Sequence, residues 1–477
     1  MRFDGVFALL GRCMLALYIG ITSCGLLLGA TAGLKNLAAL GVAVAVGVLA
    51  FLVLPRITKL LSKQGVLRAG LLLVLLCALV KAAWIVLVRL EPAGDYATFW
   101  QCANSLAARE TIYNGRYIAL FPHIFGYASF LSWFVRLFGS GELLAPWINV
   151  LLSVCSGVLL FRLGWRWLNL EAGISAFLLW TFCPSQTIYN SMVLSEPYYT
   201  TMLLGFLLLM TEFSCTCQAM SWPAVWGAAV GVIGGLLLRF INGSRPIAAI
   251  PIIALLIWLF ALGGLKGRKG IVCWFPCLVL LLAVYFGTAP LWNANLAHRI
   301  GQEPSSTPGY NILVGFNPES AGTWNQADSD LLYYYSDQPG ATAQWAQEQM
   351  LSEAKTRITS GEVRIPSLMV QKLRTFLGSD AACVRYSATV LNHQALFTFL
   401  CNAYYYLLLL LAVLGGLCLC MRSEGNIALL LPLYVLGLTL AQMLVEVAPR
   451  YHYSLIPMFI LIGQFALYRN VAEKRGC

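Results

Sequence analysis

Apolar stretches close to membrane length recur along almost the whole of this 477-residue chain, and that repetition limits what it can fold into. A helix needs roughly 20 mostly apolar residues to cross the hydrocarbon core of a bilayer. Hydropathy places such segments near 12–31, 37–55, 69–90, 143–161, 172–190, 198–213, 222–240, 246–264, 271–289, 396–420, 427–447 and 453–468. The chain is 59% hydrophobic and only 11% charged, whereas soluble proteins carry about a quarter charged residues. The expected fold is an all-α polytopic membrane bundle of about twelve transmembrane helices. Its net charge of +11 then reads as membrane topology and not as affinity for nucleic acid.

Orientation follows from Lys and Arg in short loops. The clusters Arg56/Lys59/Lys63/Arg68, Arg162/Arg166, Lys266/Arg268/Lys269, Arg422 and Arg469/Lys474/Arg475 all fall inside if both termini are cytoplasmic. The first apolar run reads as an uncleaved membrane helix and not as a signal peptide. This topology requires one more apolar stretch, 121–139, not to cross. It begins Phe-Pro-His and ends Arg-Leu-Phe-Gly, and we read it as a helix at the outer interface or one that dips in and returns. The chain then divides into N-terminal membrane helices (1–90), a first outer loop with interfacial helices (91–142), central helices (143–289), an extracytoplasmic segment (290–395) and C-terminal helices (396–477). Within the outer segment, 365–376 has apolar residues at helical spacing with Lys372 and Arg374 between them, which suits a helix on the membrane surface.

Most of the 15 cysteines lie in apolar segments (Cys24, Cys77, Cys155, Cys273, Cys277) and read as packing residues. Cys102 and Cys383 fall in outer segments, either as a disulfide or as two free thiols. No metal-binding spacing is legible, although Glu196 is a position at which a divalent metal would be compatible.

The outer face collects residues from distant parts of the chain. Asp95 follows Gly94 just beyond a long apolar helix; glycine permits a tight turn that aims the carboxylate back at the bundle, where it can act as a general base. Glu196, in Ser-Glu-Pro, opens the next helix as a second acid or as a complement to the helix dipole. Arg245-Pro246 and Arg450-Tyr451 begin inward-going helices, and guanidinium forks suit phosphate oxygens. Glu446 lies four residues before Arg450, a spacing that allows an ion pair. His123 and His452 are candidate substrate donors, and Tyr96, Trp100, Tyr113 and Tyr117 are candidate sugar-stacking rings. Lys81, in mid-helix, requires a partner.

In this order, Asp95, the Tyr117–Gly139 segment with its Phe-Pro-His, Glu196, and Glu446-x-x-x-Arg450-Tyr451, the chain resembles the GT-C superfamily of membrane glycosyltransferases. It is most similar to the bacterial branch related to protein O-mannosyltransferases and the lipid A aminoarabinose transferase. The resemblance spans roughly 90–460. It implies that Asp95 is the catalytic base, that the donor is a sugar on a polyprenyl phosphate, and that transfer takes place on the non-cytoplasmic side. The acceptor would be a glycan, a lipid or a protein, with membrane lipids as neighbours. Protein O-mannosyltransferases carry Asp-Glu where this chain has Asp95-Tyr96, which argues against a protein acceptor. The alternatives are a polytopic transporter or lipid-linked glycan flippase, and a non-catalytic assembly protein.

Overall fold

The computed structural model describes residues 2–112, 114–265, 267–421 and 426–469, with 2–4 and 218 as backbone only. Tyr113, Lys266, Arg422, Lys474 and Arg475 therefore lie outside the described residues. Every element among those described is helical. Among the described residues nine helices are long and apolar enough to cross a membrane: Gly5–Ala30, Leu34–Ser62, Val66–Leu87, Leu144–Trp167, Glu196–Thr216, Pro223–Ser244, Gly267–Ile300, Gln394–Cys420 and Ile427–Leu444. The chain is an all-α polytopic membrane protein.

Three of the twelve expected spans are shorter than the sequence suggests. Leu170–Thr181, Ala249–Ala261 and Leu455–Leu467 have 12, 13 and 13 residues. At 1.5 Å per residue they rise about 20 Å, against a core of roughly 30 Å. Proline explains the shortening. The first helix stops before Pro184 and resumes as Pro184–Ile188 and a 3-10 turn, Tyr189–Ser191. A residue before proline is pushed out of helical geometry, and Arg245, before Pro246, is extended (φ −152°, ψ 129°). Ala448, before Pro449, is likewise extended, ahead of the 3-10 turn Pro449–His452. Leu455–Leu467 is buried along its whole length, so neighbouring helices and not lipid surround it.

Two apolar cores organise the chain. The larger joins the membrane helices and also takes in Phe376, Leu377, Cys383 and Val384. The second joins helices Asp95–Ala108, Gly115–Leu120 and Ile124–Phe138 to residues Leu296–Ala354. Segments two hundred residues apart thus build one lobe. Ser305 N–H donates to the Ala119 carbonyl (2.8 Å), and Gln347 Nε2 to that of Leu120 (3.2 Å). The 290–395 segment is divided between the two cores.

Ile124–Phe138 has 15 residues, too few to cross unaided. It packs on Asp95–Ala108, whose terminal carbonyls at Leu106 and Ala107 accept from Arg136 (2.5 and 3.3 Å). At its other end Gly126 lies against Gly243, where a Cβ would run into backbone.

Buried polar groups brace the bundle. Lys81 is fully buried, donates to Thr187 Oγ1 (2.8 Å) and lies 5.8 Å from the Trp180 ring, which supplies the partner that its mid-helix charge requires. Cys77, Cys273 and Cys277 are packing residues as expected, whereas Cys24 and Cys155 point outward. Cys102 and Cys383 are free thiols in different cores, which rules out the disulfide.

Candidate active site

The loops at one end of the bundle enclose a cavity of about 1560 Å³. Asp95, Tyr96, Tyr117, His123, Glu196, Arg245, Glu446, Arg450 and Tyr451 all line it. Nine of the twelve candidates expected from sequence therefore meet in one place, drawn from five separate parts of the chain; Tyr113 is outside the described residues.

Asp95 is the first residue of Asp95–Ala108. Gly94 before it has φ +54°, a conformation that glycine adopts without strain. The Asp95 side chain is 50% exposed and accepts from Arg450 Nη2 at 2.8 Å. Burial is the largest single influence and would raise its pKa, but the charge and hydrogen bond of Arg450, with the charge of Arg245 adding to them, together hold the carboxyl below its usual range. Arg450 Nη1 also donates to the Tyr96 hydroxyl (3.3 Å). Its Nε is buried, 3.8 Å from Glu196 Oε1, and among the described residues has no hydrogen-bond partner. Three rings, those of Tyr96, Tyr386 and Tyr451, lie 5.7–5.8 Å from its guanidinium.

Glu196 is 3% exposed, opens Glu196–Thr216, and accepts from Arg245 Nη2 at 2.6 Å. Arg245 also lies over the Tyr451 ring (4.6 Å). Arg245 thus occupies one oxygen of Glu196, while the other meets the Ser195 hydroxyl at 3.5 Å. Among the described residues no group of three or more His, Cys, Asp and Glu is placed to hold a metal.

Glu446 and Arg450 do not pair; among the described residues, Arg450 has its ion pairs with Asp95 and Glu196. The helix ends at Leu444, Val445 is extended, and Pro449 starts a 3-10 turn, so the helical spacing is absent. Glu446 instead accepts from the Tyr451 hydroxyl (3.4 Å), and burial raises its pKa. His123 lines the cavity with its pKa driven down to about 3 by burial and by Arg245, so its imidazole is neutral.

His452 does not reach the cavity. In a 3-10 turn successive side chains diverge by about 120°, so with Arg450 and Tyr451 facing the cavity the next residue turns inward. It is 1% exposed, stacks on Tyr405 (5.2 Å), and bonds to the Phe376 carbonyl (2.6 Å) and Asp380 Oδ1 (3.0 Å). Trp100 does not line the cavity either; it packs in the second core.

Several cavity residues escaped the sequence reading. Gly29, Ala32 and Asn36 come from around the first interhelical turn, and Arg374, Arg385 and Tyr386 from the far end of the 290–395 segment. Lys372 is not on a membrane surface: it is fully buried and donates to the carbonyls of Gly315, Met443 and Val445 (2.7–2.9 Å). It ties the second lobe to the loop carrying Glu446. The signal in the sequence was the i, i+4 series Leu368, Lys372, Phe376, which puts Lys372 on the buried face.

The chain is similar to the crystal structure of ArnT from Cupriavidus metallidurans bound to undecaprenyl phosphate, with 13% identity, 84% of this chain and 77% of that chain covered, and a TM-score of 0.32. A likeness of that size carries no argument about site or substrate. No protein-family model matches the chain, and no curated protein does.

Proposed function

We propose that this protein is an inverting membrane glycosyltransferase of the GT-C type. It moves a sugar from a polyprenyl-phosphate donor to a hydroxyl acceptor on the outer face of the membrane, in assembly of a cell-envelope glycan. The observation that carries this reading is the convergence on one cavity of a half-exposed carboxylate, Asp95, with two arginines, one of which keeps an unpartnered Nε. Apolar residues Ile247, Ile250, Leu438 and Ala441 in the same cavity wall suit the donor's lipid chain.

In this mechanism Arg245 and Arg450 hold the donor phosphate, and Glu196 fixes the Arg245 fork. The acceptor hydroxyl gives its proton to Asp95 as its oxygen attacks the anomeric carbon. The bond from that carbon to phosphate oxygen breaks, and polyprenyl phosphate leaves with inversion. The departing phosphate gains a charge that the arginines stabilise in the transition state. A phosphate engaging Arg450 also competes with Asp95 for the guanidinium and so makes the carboxylate more basic when donor is bound. In this reading Tyr96 and Tyr117 contact the sugar and neutral His123 hydrogen-bonds it, which their position in the cavity lining supports.

A transporter or flippase is the second reading. The break at Pro184 near buried Lys81, with Gln186 and Asn190 buried and lacking hydrogen-bond partners, suits the discontinuous helices of transporters. Incubating the purified protein with a polyprenyl-phosphate sugar and an acceptor mixture separates the two. Release of the lipid phosphate together with a glycosylated product is expected, and movement of intact donor between leaflets without release would support the flippase.

A further inference from the structure

Four arginines line the cavity, and they fall into two kinds. Arg245 is held by Glu196 and Arg450 by Asp95. Arg374 and Arg385 are exposed and, among the described residues, have no carboxylate partner. Arg374 lies in the last turn of Ile365–Leu377, where a cation complements the helix carbonyls. Arg385 likewise stands in the last turn of Ala382–Tyr386, but that helix has only 5 residues and builds little macrodipole, so its end does not account for a second guanidinium.

The backbone between them is held firmly. Asp380 N–H and Ser379 Oγ both donate to Asn402 Oδ1 (3.1 and 2.8 Å). The Asp380 carboxylate accepts from Ser185 and meets His452 Nε2 at 3.0 Å. The two guanidinium groups thus stand on helices that flank a fixed loop, and a backbone held in this way reduces the entropic cost of binding. They are also close to the reacting centre. Arg385 and Arg450 lie 5.4 and 5.8 Å from the same Tyr386 ring, so their guanidinium carbons are at most about 11 Å apart. Setting aside the two ion-paired couples, the cavity holds two arginines against the single carboxyl of Glu446. It has an uncompensated positive charge beside the first phosphate site.

We propose that Arg374 and Arg385 form a second anion site, next to the Arg245–Arg450 pair, that receives a second phosphate-type group of the substrate. This rests on the glycosyl-transfer reading and narrows its substrate class to one that brings two anionic groups into the cavity. The second group belongs either to a diphosphate-linked donor or to a phosphate-bearing acceptor headgroup.

The test is binding to the full-length protein in detergent, followed by calorimetry. The probes are farnesyl phosphate, farnesyl diphosphate, and glycerol 3-phosphate added to protein saturated with farnesyl phosphate. Wild type is compared with R374Q/R385Q and with a control of equal charge, R89Q/R299Q, whose arginines lie outside the cavity. Charge-assisted contacts of this kind are worth about ten-fold or more in affinity. A selective loss of that size for farnesyl diphosphate, with farnesyl phosphate and the control unchanged, assigns the second phosphate to the donor. A selective loss for glycerol 3-phosphate assigns it to the acceptor. Equal loss for all three probes, or no loss for any, overturns the second site. If the wild type binds farnesyl phosphate but gains nothing from either second anion, the second site fails and the transfer reading stands; if it binds no probe, both fail.

Discussion

Two aspartate–arginine pairs on the same side of this molecule have nearly the same contact distance and opposite surroundings. Asp95 meets Arg450 at 2.8 Å and Asp328 meets Arg357 at 2.7 Å. Asp328 is 3% exposed, and its oxygens accept from both Arg357 nitrogens, Asn317 and Asn325. A carboxylate has about four acceptor sites, and these are full. Asp95 is half exposed, holds one guanidinium nitrogen, and turns its remaining capacity toward a cavity. The first pair closes a turn; the second leaves a carboxylate and an arginine with valence to spare. An ion pair alone says little about chemistry, and what distinguishes the two is unfilled hydrogen-bonding capacity facing open space.

The largest expected contrast comes from the arginines. Arg450→Gln should lower kcat/KM by about 10³-fold, the scale of losing a transition-state oxyanion donor, and should weaken binding of the donor phosphate. Asp328→Asn should act on stability instead. Breaking a buried pair costs about 3–5 kcal/mol, read as a fall in unfolding midpoint, while activity per folded molecule is kept. Loss of activity without loss of stability at Asp328 would erase the distinction between the pairs.

Their pH behaviour sharpens it further. Burial would raise both carboxyls, yet both are held below the ordinary aspartate range, Asp95 by Arg450 together with Arg245 and Asp328 by Arg357 together with Asn325 and Asn317. Asp328 therefore stabilises the fold fully above the unfolded aspartate value, and that contribution is lost as pH falls through its lowered value. Asp95 stays ionised over the same interval, so the acid limb of kcat/KM for the free enzyme should lie below the usual aspartate pKa. In Arg450→Gln that limb should move upward, and an unmoved limb would dissociate Asp95 from the rate. A smaller effect is expected at Lys372. Lys372→Met leaves three carbonyls without their shared donor, costing about 1–3 kcal/mol, and should raise KM by loosening the loop that carries Glu446. The smallest is at Trp100, where Trp100→Leu should change activity by less than about two-fold, as a packing residue outside the cavity.

The membrane helices were legible because a long apolar run has few alternatives. The helix ends at Pro184, Pro246 and Pro449 were the harder part, since hydropathy averages across them. Asp95, Glu196, Arg245 and Arg450 were legible because charge in an apolar chain needs a reason, and loop sidedness grouped them. Partner choice was not. Spacing suggested Glu446 with Arg450, but the non-helical Val445–Pro449 stretch gave Arg450 to Asp95, 355 residues away. His452 looked equivalent to its neighbours until the 3-10 turn sent it inward. Arg374 reads in the sequence only as part of a membrane-surface helix and Arg385 carries no signal there, because both sit in the segment of mixed composition and only the fold brings them to the cavity.

The central claim is that Asp95 takes the acceptor's proton. Purified Asp95→Asn should stay folded and bind polyprenyl phosphate at least as tightly as wild type, because the phosphate no longer competes with a carboxylate for Arg450. In single-turnover transfer from a polyprenyl-phosphate sugar it should be slower by about 10²- to 10⁴-fold, the usual worth of a general base. A folded Asp95→Asn protein that transfers sugar at the wild-type rate would contradict the account.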